Sequence, residues 1–223
     1  MTAYYIEIQN VVNTALHEIK QQHDSGKLAN APVSNTHFMV RWVSKSIKAQ
    51  RFHRSVVDDL VRWQKAGRSK GTESELMFTF ENISKFYSHF LPVDQEPKPV
   101  LDSEIDAFLD YMETQNWSIC TSYDLTEKVQ IFSEGENSFV VCSKQCDDCF
   151  EGGSELVKPM SFYVRGNHAE FVREATKAGF LLHKITKYKS NVKYHGEYLV
   201  FPKNMGNQLA EIPIGFNENM AQS

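Results

Sequence analysis

Apolar residues recur at helical spacing through the first 91 residues, and the pattern stops at a group of prolines. Residues three and four apart share one face of a helix, so each such series must be buried along a single stripe. Ile8, Val12, Ala15 and Ile19 set the first stripe, which Asp24-Ser25-Gly26 ends. Met39, Trp42, Val43 and Ile47 set the second, after a loop at residues 27–34 in which Ser34 or Asn35 is the expected N-cap. Val56, Leu60 and Trp63 set the third, with Ser55 and Asp58 as its expected capping pair and Gly67 as its expected left-handed stop. Leu76, Phe80, Ile83 and Tyr87 set the fourth, behind a Thr72-Glu73-Ser74-Glu75 cap. That helix must end before Pro92, because proline pushes the residue ahead of it out of the helical region. The expectation is a four-helix bundle over residues 1–91, followed by a linker at 92–103 that carries Pro92, Pro97 and Pro99.

Beyond the linker the periodicity is mixed. Ser103 to Gln115 reads as a helix with Ile105, Phe108, Leu109 and Met112 on its stripe. Strand-like runs follow near Trp117–Tyr123, Lys128–Ser133 and Ser138–Ser143, the latter two joined by Glu134-Gly135-Glu136-Asn137 as a hairpin. A loop rich in Cys, Asp and Gly covers 144–159, with Gly152-Gly153 as a turn, and Met160–Arg165 reads as a strand. Asn167 and Glu170 cap a further helix that ends at Gly179, and Phe180–Tyr188 and Glu197–Phe201 read as strands. This order predicts an α+β chain: the helical bundle, then a smaller mixed α/β sheet domain over 104–203 with helices on one sheet face, then an irregular tail at 204–223.

Hydrophobic residues at 41% and aromatics at 12% suffice for a sizeable core. No apolar run approaches the roughly 18 residues that span a bilayer. The start, MTAYYIEIQNVV, lacks the basic region of a secretory signal. The reading is a cytoplasmic protein with no membrane partner.

The net charge of −4 conceals an asymmetry. Residues 1–100 carry 13 Lys and Arg against 10 Asp and Glu, or +3, while the remainder carries 11 against 18, or −7. Within 41–70 the imbalance is 9 to 2. A local field of this kind steers anionic partners whatever the total charge. Arg41, Lys45, Lys48, Arg51, Arg54, Arg62, Lys65, Arg68 and Lys70 are therefore the candidate nucleic-acid-binding residues, with His53 beside them. Arg41, Lys45 and Lys48 recur at i, i+4 and i+7, away from the apolar stripe. Neither a helix-turn-helix turn nor a row of base-reading Asn, Gln and Arg accompanies them. A solvated helix face, partly neutralised by Asp58 and Arg62, or a contact with an acidic protein, competes with the nucleic-acid reading. Trp42 and Trp63 lie on apolar stripes, so they are expected in the core and not as base-stacking platforms.

The segments HFMVRWVSKSIKAQRF, DLVRWQKAGRSKG and ELMFTFENISKFY resemble an uncharacterised bacterial protein family of about this length, over roughly the first 90 residues. The resemblance implies a bacterial cytosolic protein and carries no catalytic residue with it.

Cys142, Cys146 and Cys149 lie within eight residues, and Cys120 on a neighbouring strand is the candidate to complete a metal site with them. Zinc is the metal such thiolates would take, with His168, His183 or His195 as substitute ligands, although the usual two close pairs are not present. A Cys146/Cys149 redox pair and ordinary reduced thiols compete with it. Arg165-Gly166-Asn167-His168 at a strand-to-helix junction has the form of an anion site, but helix capping accounts for Asn167. No nucleophile elbow, phosphate-binding loop or zinc-protease motif occurs. The sequence therefore favours a non-enzymatic binding or regulatory protein that contacts nucleic acid through its basic helices and needs no cofactor. A metal- or thiol-dependent enzyme built on the cysteines is the alternative, as is a homo-oligomeric interaction scaffold; the oligomeric state is left open.

Overall fold

In the computed structural model the described residues are 3–125, 127–131, 135–152 and 154–217. They form an α+β protein with seven α-helices, a five-stranded sheet and a two-stranded sheet. The chain divides into two compact units, residues 1–95 with 207–209, and 96–206 with 210–223. The second unit takes in the C-terminal part of the linker and part of the tail together with residues 104–203.

The first unit contains α1 (Tyr4–Asp24), α2 (Pro32–Lys48), α3 (Val57–Lys70) and α4 (Leu76–Phe90). Their buried faces are the apolar stripes: Ile8, Val12 and Ile19 on α1, Met39 and Val43 on α2, Leu60 and Trp63 on α3, Phe80 and Ile83 on α4. The helix ends differ from the sequence-based expectation. α2 begins at Pro32, not after Ser34, since a proline at the first helical position gives up an N–H that would have no partner there. A 3-10 turn at Arg54–Val56 precedes α3, and its cap is His53, whose Nδ1 accepts the Ser55 N–H at 3.3 Å. Glu75 stands before α4 in a left-handed conformation and makes no side-chain cap.

Gly67 does not stop α3. The helix runs on to Lys70 and ends at Gly71, whose φ of +56° suits a glycine. Gly67 is buried instead at the closest approach of α3 to α2, where a Cβ would meet Val40 Cγ2 and Leu76 Cδ1. Gly67→Val is therefore expected to destabilise the first unit by about 1–3 kcal/mol through overpacking, read from the urea midpoint of its helical signal.

The second unit contains α5 (Asp102–Thr114), β1 (Ser118–Cys120), β2 (Ser138–Val141), α6 (Ser143–Asp148), β3 (Phe150–Glu151), β4 (Glu155–Leu156), β5 (Met160–Arg165), α7 (His168–Lys177), β6 (His183–Thr186) and β7 (Gly196–Val200). The sheet order is β1-β2-β5-β7-β6, parallel between β1 and β2 and antiparallel elsewhere. The hairpin expected across 128–143 is not formed: β2 lies beside β1, and Val129 makes an isolated parallel bridge to Val192. Residues 132–134 of that proposed hairpin, Gly153 of the glycine pair and tail residues 218–223 lie outside the described residues. The expected cysteine loop contains the short helix α6 and the β3–β4 pair.

Side chains alternate across a strand, which sends one set to each face of the sheet. Phe139, Phe162 and Val164 join Phe108 of α5 and Phe171 of α7 in the main core. Val140 and Tyr163 point to the opposite face, where Leu125 and Val192 cover them. Asn167 caps α7 as expected, its Oδ1 accepting the Glu170 N–H at 3.1 Å.

Candidate nucleic-acid interface

α2 and α3 are adjacent in the chain and pack on each other, and the contact between them has a polar rim. Ser44 of α2 bonds back to the Val40 carbonyl at 2.7 Å, and its Oγ also accepts from Gln64 Nε2 at 2.8 Å and Arg68 at 3.2 Å. Arg68 is thereby placed beside the outer face of α2. On that face Arg41, Lys45 and Lys48 are all exposed, opposite the buried Met39, Trp42, Val43 and Ser46. Lys65 is exposed on the outer side of α3, three residues from Arg68. Five cations thus flank the Ser44 seam. α2 contains no Asp or Glu to offset them.

The other four cations are placed differently. Arg51 forms an ion pair with Glu18 of α1 at 2.6 Å, and its guanidinium lies 5.5 Å from the centre of the Trp42 ring. Glu18 also accepts from Trp42 Nε1 at 2.7 Å. Burial acts to raise the Glu18 carboxyl, but the Arg51 and Trp42 hydrogen bonds and the Arg51 charge outweigh it and hold the group below the usual carboxylate range. A carboxylate with a depressed folded-state pKa adds stability above its unfolded pKa and loses it as pH falls through the lowered value. Glu18→Gln should therefore flatten the acid limb of the stability profile, seen as urea midpoints that change less below pH 5 than those of the parent.

Arg62 pairs with Asp59 at 2.5 Å, three residues before it and not with Asp58 as expected, because Asp59 is turned inward to accept from Tyr4 Oη at 2.6 Å. Burial raises the Asp59 carboxyl despite those two donors, and burial together with Asp59 raises the Tyr4 hydroxyl. Arg54 and Lys70 are exposed at the two ends of the hairpin. All nine cations reach solvent; five gather on one seam, and two are held by carboxylates. Trp42 and Trp63 are 6% and 4% exposed, so neither offers a stacking face.

The four thiols are reduced and divided between the two faces of the sheet. Cys149 is in the main core, with Cys146 packed against it; Cys142 is in the opposite cluster, with Cys120 packed there. Cys142 Sγ accepts the Leu125 N–H at 3.3 Å, and Cys149 Sγ faces the Pro159 carbonyl at 3.7 Å. Among the described residues no group of three or more His, Cys, Asp or Glu is arranged to hold a metal ion. The histidines named as substitutes are occupied locally. His195 bonds Ser138 Oγ at 3.1 Å and the Lys193 carbonyl at 3.0 Å; His168 Nδ1 meets Tyr198 Oη at 2.8 Å; and His183 packs edge-on against Phe201. Burial lowers both His168 and His195, the former further under Lys184 and Lys187. The Asn167 N–H at the proposed anion site is taken by Asn137 Oδ1 at 2.9 Å.

Cys146 lines a cleft of about 620 Å³ with Asp106, Asp110, Glu113 and Asp147. Burial, then the negative field of Asp102, pushes its thiol up to about 11. A thiol in that state is almost wholly protonated at neutral pH, and only the thiolate reacts. Alkylation of Cys146 should accelerate about tenfold per pH unit from 7 to 9 with no plateau, as followed by peptide mass spectrometry.

The family model for proteins of unknown function designated DUF2913 matches residues 3–213. The chain belongs to the DUF2913 family. The match extends well beyond the 90 N-terminal residues that carry the resemblance, so it reaches into both units of the DUF2913 chain. No curated protein and no solved structure matches it. Among its described residues no helix is long and apolar enough to cross a membrane.

Proposed function

We propose that this DUF2913 protein is a non-enzymatic, cytoplasmic binding protein that holds nucleic acid on the outer face of its α2–α3 hairpin. The observation that supports it is the gathering of Arg41, Lys45, Lys48, Lys65 and Arg68 along one seam, all exposed, with no Asp or Glu anywhere on α2 to offset them. Arg41 to Lys48 spans about 10 Å of helix axis. One strand of duplex DNA presents a phosphate about every 3.4 Å of its axis, so this length is enough for about three phosphates. Pro32, Val33 and His37 are the other exposed residues of α2, and none forms the bidentate pair that reads a base edge. The binding should be indifferent to sequence and strongly dependent on salt. In filter binding at low ionic strength, DNA or RNA of mixed sequence should be retained with a negative slope of log affinity against log salt. Retention that shows no such slope sinks the reading. Binding of a polyacidic peptide with equal affinity would favour an acidic protein partner instead.

A further inference from the structure

A second basic surface lies in the acidic half of the chain. Between Glu174 and Glu197 there are five lysines and no Asp or Glu. Three of them, Lys187, Lys189 and Lys193, stand on the loop at residues 187–195 that joins the edge strand β6 to β7, and Tyr188 and Tyr194 alternate with them.

The loop is sorted into an inner and an outer set. Ser190, Val192 and His195 are buried, while Lys187, Tyr188, Lys189, Asn191, Lys193 and Tyr194 are exposed. Ser190 Oγ lies 2.8 Å from the carbonyl oxygens of both Val192 and His195. The Lys193 N–H donates to the Val129 carbonyl at 2.8 Å, and the Val129 N–H to the Asn191 carbonyl at 2.9 Å. At the neck the two strands come so close that a Cβ on Gly196 would meet the Lys187 carbonyl oxygen at 2.9 Å. A loop fixed from beneath presents its outer side chains with little ordering cost on binding.

Tyr188 is 63% and Tyr194 59% exposed, and neither packs against another aromatic ring among the described residues. Each ring has a lysine beside it: Lys187 Nζ is 5.2 Å from the centre of Tyr188, and Lys193 Nζ is 5.0 Å from that of Tyr194. Tyr194 has a φ of +68°, a left-handed conformation that glycine or asparagine takes readily and a bulky residue seldom does. Packing does not account for a tyrosine there, because its ring stands in water.

Aromatic faces interleaved with lysines hold unpaired bases: the rings stack on them, and the ammonium groups follow the phosphates. A duplex keeps its bases stacked on one another and offers the loop only charge. A lipid surface calls for aliphatic side chains that insert, and the one aliphatic residue of the loop, Val192, is fully buried. Lys184 on β6 is paired with Glu211 at 3.0 Å and is left out of the count. We propose that the β6–β7 loop binds single-stranded nucleic acid, with Tyr188 and Tyr194 stacked on bases and Lys187, Lys189 and Lys193 against the phosphates. This site does not rest on the α2–α3 reading, which concerns the other unit and needs no unpaired base.

Two rings and three lysines release a ligand quickly, so binding is read at equilibrium by fluorescence anisotropy and not by filter retention. The protein is the full chain carrying glutamate at positions 41, 45 and 48, which silences the α2 row. The probe is a labelled oligo-dT of about twelve nucleotides, within the span of known single-strand sites. It should bind at low salt, and a duplex of the same length should bind more weakly. Tyr188→Ala and Tyr194→Ala should each weaken the single strand roughly fivefold to a hundredfold, the cost of one lost base stack. Tyr188→Phe and Tyr194→Phe keep the ring and should bind as the parent does. Changing Lys187, Lys189 and Lys193 to glutamine together should lower the salt slope by about 2, at roughly 0.7 for each phosphate of a single strand. The proposal is overturned if oligo-dT does not bind at submillimolar protein, if the duplex binds as tightly, or if the alanine variants bind like the parent. Phosphatidylserine vesicles that bind with the same dependence on the two tyrosines would also overturn it, in favour of a membrane surface. Loss of duplex retention by the parent chain would bear on the α2–α3 face alone.

Discussion

Reversing Arg41, Lys45 and Lys48 to glutamate together is expected to abolish retention of DNA and RNA on a filter while the helical circular dichroism stays that of the parent. The three side chains are exposed, and none is in an ion pair among the described residues, so their loss leaves no buried group without a partner. Substitutions at such positions usually change stability by less than about 0.5 kcal/mol each. Binding should respond far more. Each phosphate contact adds roughly 0.9 to the salt slope, so neutralising the three to glutamine should lower it by about 2.7 if all three contact duplex DNA. The glutamate variant goes further, because three cations become three repelling anions. Arg62→Gln is the internal comparison: its guanidinium is already paired with Asp59, so it should change the slope little. Equal effects from Arg62 and from the α2 cations would mean that the charges act as a diffuse cloud, and the seam would lose its meaning as a site.

Removing the ring of Phe171 should cost the second unit about 3–5 kcal/mol. Phe171 is fully buried on α7 and stands among five other rings, with centroids 4.8 Å from Phe139, 5.4 Å from Trp117 and 5.7 Å from Phe108. Phe162 and Tyr198 complete the cluster, which joins α5 and α7 to the sheet. Phe171→Ala leaves a cavity that the surrounding rings can close only by leaving their own packing. A domain is stable by about 5–15 kcal/mol in total, so this single change consumes a large part of that margin. Near-ultraviolet circular dichroism should lose the aromatic signal at markedly lower urea than in the parent, and Phe171→Leu should recover most of the difference. A variant that unfolds within about 1 kcal/mol of the parent would show that the ring cluster is not what holds the sheet to its helices.

Much of the fold can be read from the chain because the signals are local. Asn167 and Glu170 are three residues apart, so the cap of α7 follows from the spacing alone. The stripe of Leu76, Phe80, Ile83 and Tyr87 defines the buried face of α4 with no knowledge of its neighbour. Exposure of the nine cations is equally legible, since a lysine or arginine is seldom buried unless paired. The candidate interface was half legible: the Arg41, Lys45 and Lys48 row is a property of one helix, but the place of Arg68 beside Ser44 depends on how α3 lies on α2.

Other features were decided only when distant segments met. A strand's alternation says which residues share a face and nothing about which strand lies beside it, so the parallel pairing of β1 with β2 displaced the expected hairpin. The same alternation divides the thiols: Cys142 follows β2 onto one side of the sheet, while α6 carries Cys146 and Cys149 to the other. Close spacing in sequence did not bring them together. Gly67 carries the residue type of a helix stop, yet its role is set by Val40 and Leu76 lying against it from two other helices. The sequence by itself determined the helices, their buried stripes and the sign of the charge on α2. Tertiary structure alone decided the strand order and the fate of the cysteines, because each depends on contacts whose closing cost and geometry no local spacing encodes.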